Sequence, residues 1–438
     1  MEGIKHMHMP FERSEYIERQ NKLMQNIPPS SVVFIPTNDV SYRSNDVSYP
    51  FRPNSYFLYL CGWEESEGIL VFTKDSGEYN STLFVSPRDT SKEIWEGVRI
   101  GVEGALEWPV TKAESILDFE SHLKQILNKF QNIYSLTGIS RKLDSLLENQ
   151  KISDPKPFLD KLRRIKSSKE IEYMSVAAEI GSIAKISAMK KSTPGIGEWE
   201  IQAIIESTFL NSRSNWSFPS IVGGGDNATI LHYKSNNSRI NDGDLVLVDS
   251  GCEVFGYASD ITRTWPINGK FTDPQKEIYE LVLSAQLAGI ASCISGNNWS
   301  SMHRATTEII ARGLIDLGIF DYNMDEVLGD PEKLDGRFQS FFMHGTGHFL
   351  GLDVHDVGGG RKGDKDSGPM LKPGMVVTVE PGLYFGSWRS DIVSPSRYSG
   401  IGVRIEDDVL ITEEGPVVLS SKCPKTIDEI EDIVGSTD

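Results

Sequence analysis

Three of the chain's eight histidines fall within HGTGHFLGLDVHD, residues His344 to Asp356, a density that needs a chemical reason. Neutral imidazoles bind metals and carry protons near neutral pH, so the cluster predicts a metal site or an acid/base site. A polar loop whose histidines merely cap and hydrogen-bond is the plain alternative. His344 and His348 stand four apart, the spacing of a zinc-protease helix, yet Gly345, Gly347 and Gly351 oppose a helix and no glutamate follows His344. The spacing predicts an extended or looped segment that supplies ligands singly, with the others coming from elsewhere.

Four strand-like segments each carry a carboxylate into apolar surroundings. LVLVDSG ends its apolar run on Asp249, YASDITRTW places Asp260 among β-branched and aromatic residues, MVVTVEPG carries Glu380, and GVRIEDDVLIT carries Glu406. An aspartate after an apolar strand taken singly is a turn or cap residue. Asp260 resists that reading, because aspartate is disfavoured inside a strand and costly to bury without a partner. Arg404, two residues from Glu406 and so on the same strand face, could pair with one acid structurally. Asp249, Asp260, His348, Glu380 and Glu406 together make an oxygen-rich set with one nitrogen, suited to Mn²⁺, Co²⁺, Fe²⁺ or Zn²⁺ in a two-metal centre. Two ions about 3.5–4 Å apart, bridged by carboxylates, activate water for hydrolysis.

In combination these motifs resemble the pita-bread metallopeptidases, within them the aminopeptidase P and prolidase branch. LVLVDSG with SDITRTW, HGTGHFLGLDVHD, VEPGLY and GVRIEDDVL occur in the family's order across residues 164–420, and RSNDVSYPFRPNSYFLYLCGW with IWEGVRIGVEGA resembles the creatinase-like N-terminal domain of aminopeptidase P enzymes. The resemblance implies an α/β (α+β) chain, with a mixed α/β N-terminal domain followed by a pita-bread catalytic domain. It implies two divalent ions, Mn²⁺ first and Co²⁺, Zn²⁺ or Fe²⁺ as alternatives, held by Asp249, Asp260, His348, Glu380 and Glu406. It also implies hydrolysis of the first peptide bond of Xaa-Pro peptides, with Glu380 relaying the proton. His232 in ILHY and His344 would orient substrate or stabilise the oxyanion. His355 would contact substrate beyond the scissile bond and shape the proline pocket. Arg404 would anchor the carboxylates or the substrate, and Tyr384 would line the site. Trp95 would reach a neighbouring subunit's active site in a homodimer or homotetramer, a buried N-domain tryptophan being the alternative. A prolidase limited to Xaa-Pro dipeptides is the nearest rival reading, and a catalytically silent peptide- or partner-binding protein is the rival from another class. His122 and His303 stand in helical contexts outside any motif and read as surface or packing residues.

These groups need a scaffold of two domains, expected at 1–160 and 161–438, because 438 residues exceed one ordinary core. Strands are expected at VVFIP from Val32, ILVF from Ile69, TLFVSP from Thr82 and IYSLTG from Ile133, with a helix over Lys112–Phe130 and a polar linker over Lys151–Pro157. A long helix is expected after Arg164, its stripe running through Ile171, Met174, Ala178, Gly181, Ala184 and Ala188 and ending at Pro194-Gly195. Thr272-Asp273-Pro274 starts another. Strands should dominate 245–265, 375–384 and 401–412.

Charge narrows the partners. With 44 basic and 62 acidic residues the net charge is -18, which opposes nonspecific binding to nucleic acid or anionic membrane. Cys61, Cys252, Cys293 and Cys423 are scattered and form no CxxC pair, as expected of reduced thiols in a cytoplasmic protein. No apolar run approaches a membrane span, and the Met/His alternation around His6 and His8 reads as a disordered terminus.

Overall fold

The computed structural model describes residues 9–330, 333, 335–359, 368–392 and 395–436; His6 and His8 lie outside them. The chain divides into two compact units, Met1–Arg163 and Arg164–Asp438.

The first unit begins with α1 (Arg13–Gln25), β1 (Ser31–Pro36), a hairpin of β2 (Tyr42–Ser44) and β3 (Val47–Ser48), and α2 (Ser55–Cys61). It continues through β4 (Ile69–Lys74), β5 (Tyr79–Val85), α3 (Thr90–Glu96), α4 (Gly101–Ala105) and β6 (Lys112–Ser115). Then come α5 (Phe119–Lys129), β7 (Asn132–Ser135), α6 (Arg141–Leu146), β8 (Ile152–Ser153) and α7 (Lys156–Arg163). Six strands form one mixed sheet in the order β6-β5-β4-β1-β7-β8. Its apolar runs are buried, with Val32, Phe34, Val71 and Phe84 packing against Phe119 and Leu123 of α5. The helix expected over Lys112–Phe130 begins only at Phe119. Residues 112–115 instead pair in parallel with β5, whose edge would otherwise be left open. Likewise the stretch read as a linker over Lys151–Pro157 contributes β8, which extends the sheet beyond β7.

The second unit opens with α8 (Ser168–Lys190), α9 (Glu198–Asn211), β9 (Asn215–Trp216) and β10 (Ile221–Gly224). Four strands follow: β11 (Leu245–Ser250), β12 (Cys252–Val254), β13 (Tyr257–Ala258) and β14 (Ile261–Pro266). Helices α10 (Asp273–Ala291), α11 (Trp299–Asp316) and α12 (Met324–Leu328) precede β15 (Val376–Val379), β16 (Gly382–Phe385) and β17 (Ile401–Arg404). The unit closes with β18 (Asp407–Ile411), β19 (Pro416–Val418) and α13 (Ile427–Ile433). Its strands form small antiparallel sheets, β10-β11-β14, β13-β12-β9, β15-β18-β19 and β16-β17.

Local chemistry sets the two long helices. Ser167 and Glu170 form a reciprocal capping box at the start of α8, and Thr272 with Gln275 does the same for α10, where Pro274 occupies the first turn. The small residues of α8 let it lie close to the sheet: a Cβ on Gly181 would come within 3.0 Å of Ile261 Cδ1 and 3.4 Å of Ser259 Oγ. That contact seats the helix on the segment that carries Asp260. Trp265, fully buried beneath, donates its indole N–H to Ser192 Oγ at 2.9 Å, so its large apolar surface is buried with no polar atom left unpaired.

Candidate active site

Three of the four acids lie just outside strands and the fourth near the end of one. Asp249 stands on β11, whereas Asp260 precedes β14, Glu380 follows β15, and Glu406 lies between β17 and β18. A carboxylate inside a strand would have to share a pleated face with its neighbours; at an interruption the chain can turn it inward. Register then joins the segments. Asp249 faces Thr262 across the β11/β14 pair, and the Thr262 hydroxyl donates to Glu406 Oε2 at 2.7 Å.

The histidine segment is extended, as its glycines predict. Its backbone runs beside β15: Leu350 N–H donates to Val376 O, Thr378 N–H to His348 O, and Glu380 N–H to Thr346 O at 2.7 Å. A Cβ on Gly347 would overlap the Thr378 carbonyl oxygen, so this close approach requires glycine. The Thr378 hydroxyl, two residues before Glu380, accepts the His348 N–H at 3.0 Å.

These elements bring Asp260, His348 and Glu406 together, with one donor atom of each within 4.8 Å of the others. His348 Nε2 lies 3.3 Å from Asp260 Oδ2 and 3.6 Å from Glu380 Oε1. Its Nδ1 is 3.0 Å from the Phe349 carbonyl oxygen, which accepts the Nδ1–H and leaves the Nε2 lone pair directed toward the carboxylates. Burial, then repulsion from Asp249 and Glu380, holds the Asp260 carboxyl well above the usual range. Glu406 is raised by burial and then by Asp260 and Glu380; Glu380 is raised by burial, opposed by His348 and Arg404. Asp249 Oδ1 and Asp260 Oδ1 are buried and receive no hydrogen bond. Unpartnered oxygens, converging negative charge and an exposed nitrogen lone pair fit divalent cations, and would cost several kcal/mol without them.

Arg404 pairs with Asp249, Nη2 to Oδ2 at 2.7 Å, rather than with nearby Glu406. The intervening residue leaves β17, so the same-face relation expected within one strand does not apply. Arg404 also donates to Thr262 Oγ1 at 3.2 Å and to the Tyr384 hydroxyl at 3.0 Å. Burial alone would lower its pKa, but Tyr384, Asp249 and Glu406 hold it firmly charged. Tyr384, expected to line the site, is only 1% exposed and reaches it through others: its hydroxyl meets His344 Nε2 at 2.8 Å. Burial, followed by Arg404, pushes His344 down to about 3, so its ring is neutral.

A cavity of about 370 Å³ opens onto these groups. His232, in a turn, and exposed His355 line it together with His344, His348 and the four acids. The His355 ring lies 4.2 Å from that of His348. Phe218, Pro219, Ile221, Leu231 and Val354 supply an apolar wall that motif reading did not reveal. Trp95 belongs to the first unit and is 87% exposed on α3, which removes the alternative of a buried core tryptophan.

Several supporting groups were missed. Asp408 accepts the Asp260 N–H at 3.1 Å, and Asp407 is enclosed by Arg263, Lys425, Gln286 and Ser420. Their adjacency to Glu406 in IEDD was the available signal. His303 on α11, read as an ordinary packing residue, places Nδ1 2.7 Å from Thr346 Oγ1, in the middle of HGTGH. Nothing in its own sequence neighbourhood marks it.

Comparison with known proteins gives two family matches. The model of metallopeptidase family M24 matches residues 172–413, and that of the aminopeptidase P N-terminal domain matches residues 16–134. The chain is 40% identical over 429 residues to an Xaa-Pro aminopeptidase of Haemophilus influenzae, covering 96% of this chain and 97% of that protein. Among solved structures it is similar to aminopeptidase P of Escherichia coli with the inhibitor Pro-Leu, at TM-score 0.91 and 37% identity, covering 97% of this chain and 98% of that one. Proline aminopeptidase P II of Yersinia pestis is similar at TM-score 0.91 and 36% identity, covering 97% and 99% of the two chains.

Proposed function

The chain belongs to metallopeptidase family M24 and is a metallo-aminopeptidase that releases the first residue of Xaa-Pro peptides, a premise from which we propose the roles of its site residues. Its fold is a mixed α/β N-terminal domain followed by a pita-bread catalytic domain; the extents expected from sequence, 1–160 and 161–438, are proposed with the boundary moved to the end of α7, after Arg163. Asp249, Asp260, His348, Glu380 and Glu406 hold two divalent ions, Mn²⁺ being favoured by four oxygen donors to one nitrogen. The observation that carries this is the convergence of Asp260, His348 and Glu406 within 4.8 Å, beside two unpartnered aspartate oxygens.

Bound ions supply Lewis acidity, which polarises the scissile carbonyl and makes water a better nucleophile. Glu380 accepts a proton from water as its oxygen attacks the carbonyl carbon of the first residue. Glu380 then returns that proton to the proline nitrogen as the C–N bond breaks. Its carboxylate lies between both histidines, 3.6 Å from His348 Nε2 and 3.8 Å from His344 Nδ1. His232 donates a hydrogen bond toward the oxygen on which charge develops, and neutral His344, its Nδ1–H given to the Gly345 carbonyl oxygen and its Nε2 accepting from the Tyr384 hydroxyl, orients the substrate. Arg404 and Tyr384 act from behind, fixing Asp249 and His344. Proline has no N–H and a fixed φ, so it fits a shaped pocket rather than an extended-strand binding mode. His355 and the apolar wall of Phe218, Pro219, Leu231 and Val354 form that pocket.

Exposed Trp95 is assigned to a neighbouring copy's site in a homodimer or homotetramer; a Trp95→Ala variant that assembles normally and keeps full activity would remove this role. We place the protein in the cytoplasm, consistent with four free buried cysteines and, among the described residues, no helix long and apolar enough to cross a membrane. Nucleic acid and membrane surfaces are not its partners, given its net charge of -18.

The deciding experiment compares an Xaa-Pro dipeptide with an Xaa-Pro-Xaa tripeptide on protein loaded separately with Mn²⁺, Co²⁺ and Zn²⁺. The tripeptide should be cleaved faster, and best with Mn²⁺. Preference for the dipeptide would make the protein a prolidase, and inactivity with every ion would favour a binding role.

A further inference from the structure

We infer that His303 is a positioning residue for the reaction, holding Glu380 and His344 in place from α11 through Thr346 and Phe342. The inference rests on the role proposed for Glu380. His303 Nδ1 and Thr346 Oγ1 are 2.7 Å apart, and Thr346 is only 1% exposed. The carbonyl oxygen of the same threonine accepts the backbone N–H of Glu380 at 2.7 Å. One residue therefore joins the helix to the main chain of the proton-carrying carboxylate.

A second contact starts from the same imidazole. Its ring centroid lies 5.9 Å from that of Phe342, and Phe342 meets the His344 ring edge-on at 4.9 Å and 90°. His303 thus meets Phe342, just before the glycine-bearing turn, and Thr346, between its two glycines. That turn needs external support, because Gly345 and Gly347 leave its backbone without side chains to brace it. Packing beneath is already tight: a Cβ on Gly289 of α10 would contact Thr306, Val379 and the Thr346 methyl. With the methyl seated there, the threonine hydroxyl is directed to α11. A displacement of about 1 Å in a catalytic group can cost roughly 100-fold in rate, so such anchoring has kinetic consequences even though His303 touches no reacting atom.

Four variants test this. His303→Phe keeps the ring and loses the bond to Thr346, Thr346→Val removes the hydroxyl at nearly constant shape, and the double variant combines them. His303→Asn places an amide where Nδ1 stands and should restore the bond. In the Mn²⁺ enzyme, His303→Phe and Thr346→Val should each lower kcat about 5- to 30-fold with KM within twofold. The double variant should fall no further than either single one, and His303→Asn should recover most of the activity. The visible spectrum of the Co²⁺-substituted protein should shift in the first three variants and return in His303→Asn. This readout does not depend on turnover, so it tests the anchoring even if the wild type fails to cleave Xaa-Pro peptides. An unchanged Co²⁺ spectrum, losses that multiply in the double variant, or an Asn variant as impaired as the Phe variant would overturn the inference.

Discussion

Arg404 Nη2 donates to Asp249 Oδ2 at 2.7 Å while Nη1 donates to the Tyr384 hydroxyl, which in turn meets His344. One planar guanidinium therefore fixes a carboxylate on one side and a histidine on the other. Lysine carries the same charge but offers a single ammonium, which cannot span Asp249, Tyr384 and Thr262 together. Arg404→Lys should lower kcat roughly 10- to 100-fold and weaken metal retention, as loss of groups that orient ligands does. Steady-state kinetics with metal analysis of the purified variant checks this, and kinetics within twofold of wild type with full metal content would refute it.

Glu380→Gln keeps the side chain's shape and removes its capacity to accept a proton. Turnover should fall by about 10²- to 10⁴-fold, the usual worth of a general base, with circular dichroism unchanged. Retained turnover would transfer the proton to another group. Loss of both metals would show that Glu380 acts as a ligand first.

The five residues proposed to hold metal were legible because each is an anomaly in its local pattern. Asp260, Glu380 and Glu406 interrupt apolar strand sequence, and the structure shows true interruptions there, with each acid just outside a strand. What surrounds them was not legible. Arg404 and Asp249 are 155 residues apart, and Thr262 and Glu406 are 144 apart. Such pairs arise from the register between strands, whereas periodicity reports only which face a residue takes within one strand. His303 was missed for the same reason: on α11 its spacing suits packing, and only tertiary structure sets it against Thr346. The error over Lys112–Phe130 is of a related kind. Those first four residues are strand because β5 lies beside them, a condition no local propensity contains.

Metal removal should be visible in protons. Burial and mutual repulsion raise the carboxyls of Asp260, Glu380 and Glu406, so the metal-free site retains protons at a pH where exposed carboxylates hold none. Ions bind only the deprotonated forms. Adding Mn²⁺ to metal-free protein should therefore release protons, and the apparent affinity should rise with pH. Calorimetry in buffers of different ionisation enthalpy measures the release. An enthalpy independent of the buffer would contradict the raised carboxyls.

A buried lysine beneath the site gives the clearest dependence of stability on pH. Lys185 on α8 is 0% exposed, and its ammonium donates to Ser250 O at 3.0 Å and Ser250 Oγ at 2.5 Å. Burial lowers it from 10.5 to about 8, despite attraction from Asp249 and Asp260. Below pH 8 the lysine is charged in both folded and unfolded chains, and the cost of burying that charge is fully present. Between about 8 and 10.5 the folded protein has lost the proton while the unfolded chain keeps it, so the unfolded state binds more protons and stability rises with pH. Above that window the cost has gone. Other groups titrate in the same range, so the informative quantity is the wild type measured against Lys185→Met. That variant leaves Ser250 without its donor, which sets a constant offset, and removes the titration, which alone sets the slope. The wild type should gain about 3 kcal/mol on the variant between pH 7.5 and 10.5. Denaturant unfolding of both proteins across this range reads the difference. A flat difference would mean that the lysine keeps its proton in the fold, held by the carboxylates above it against the cost of burial.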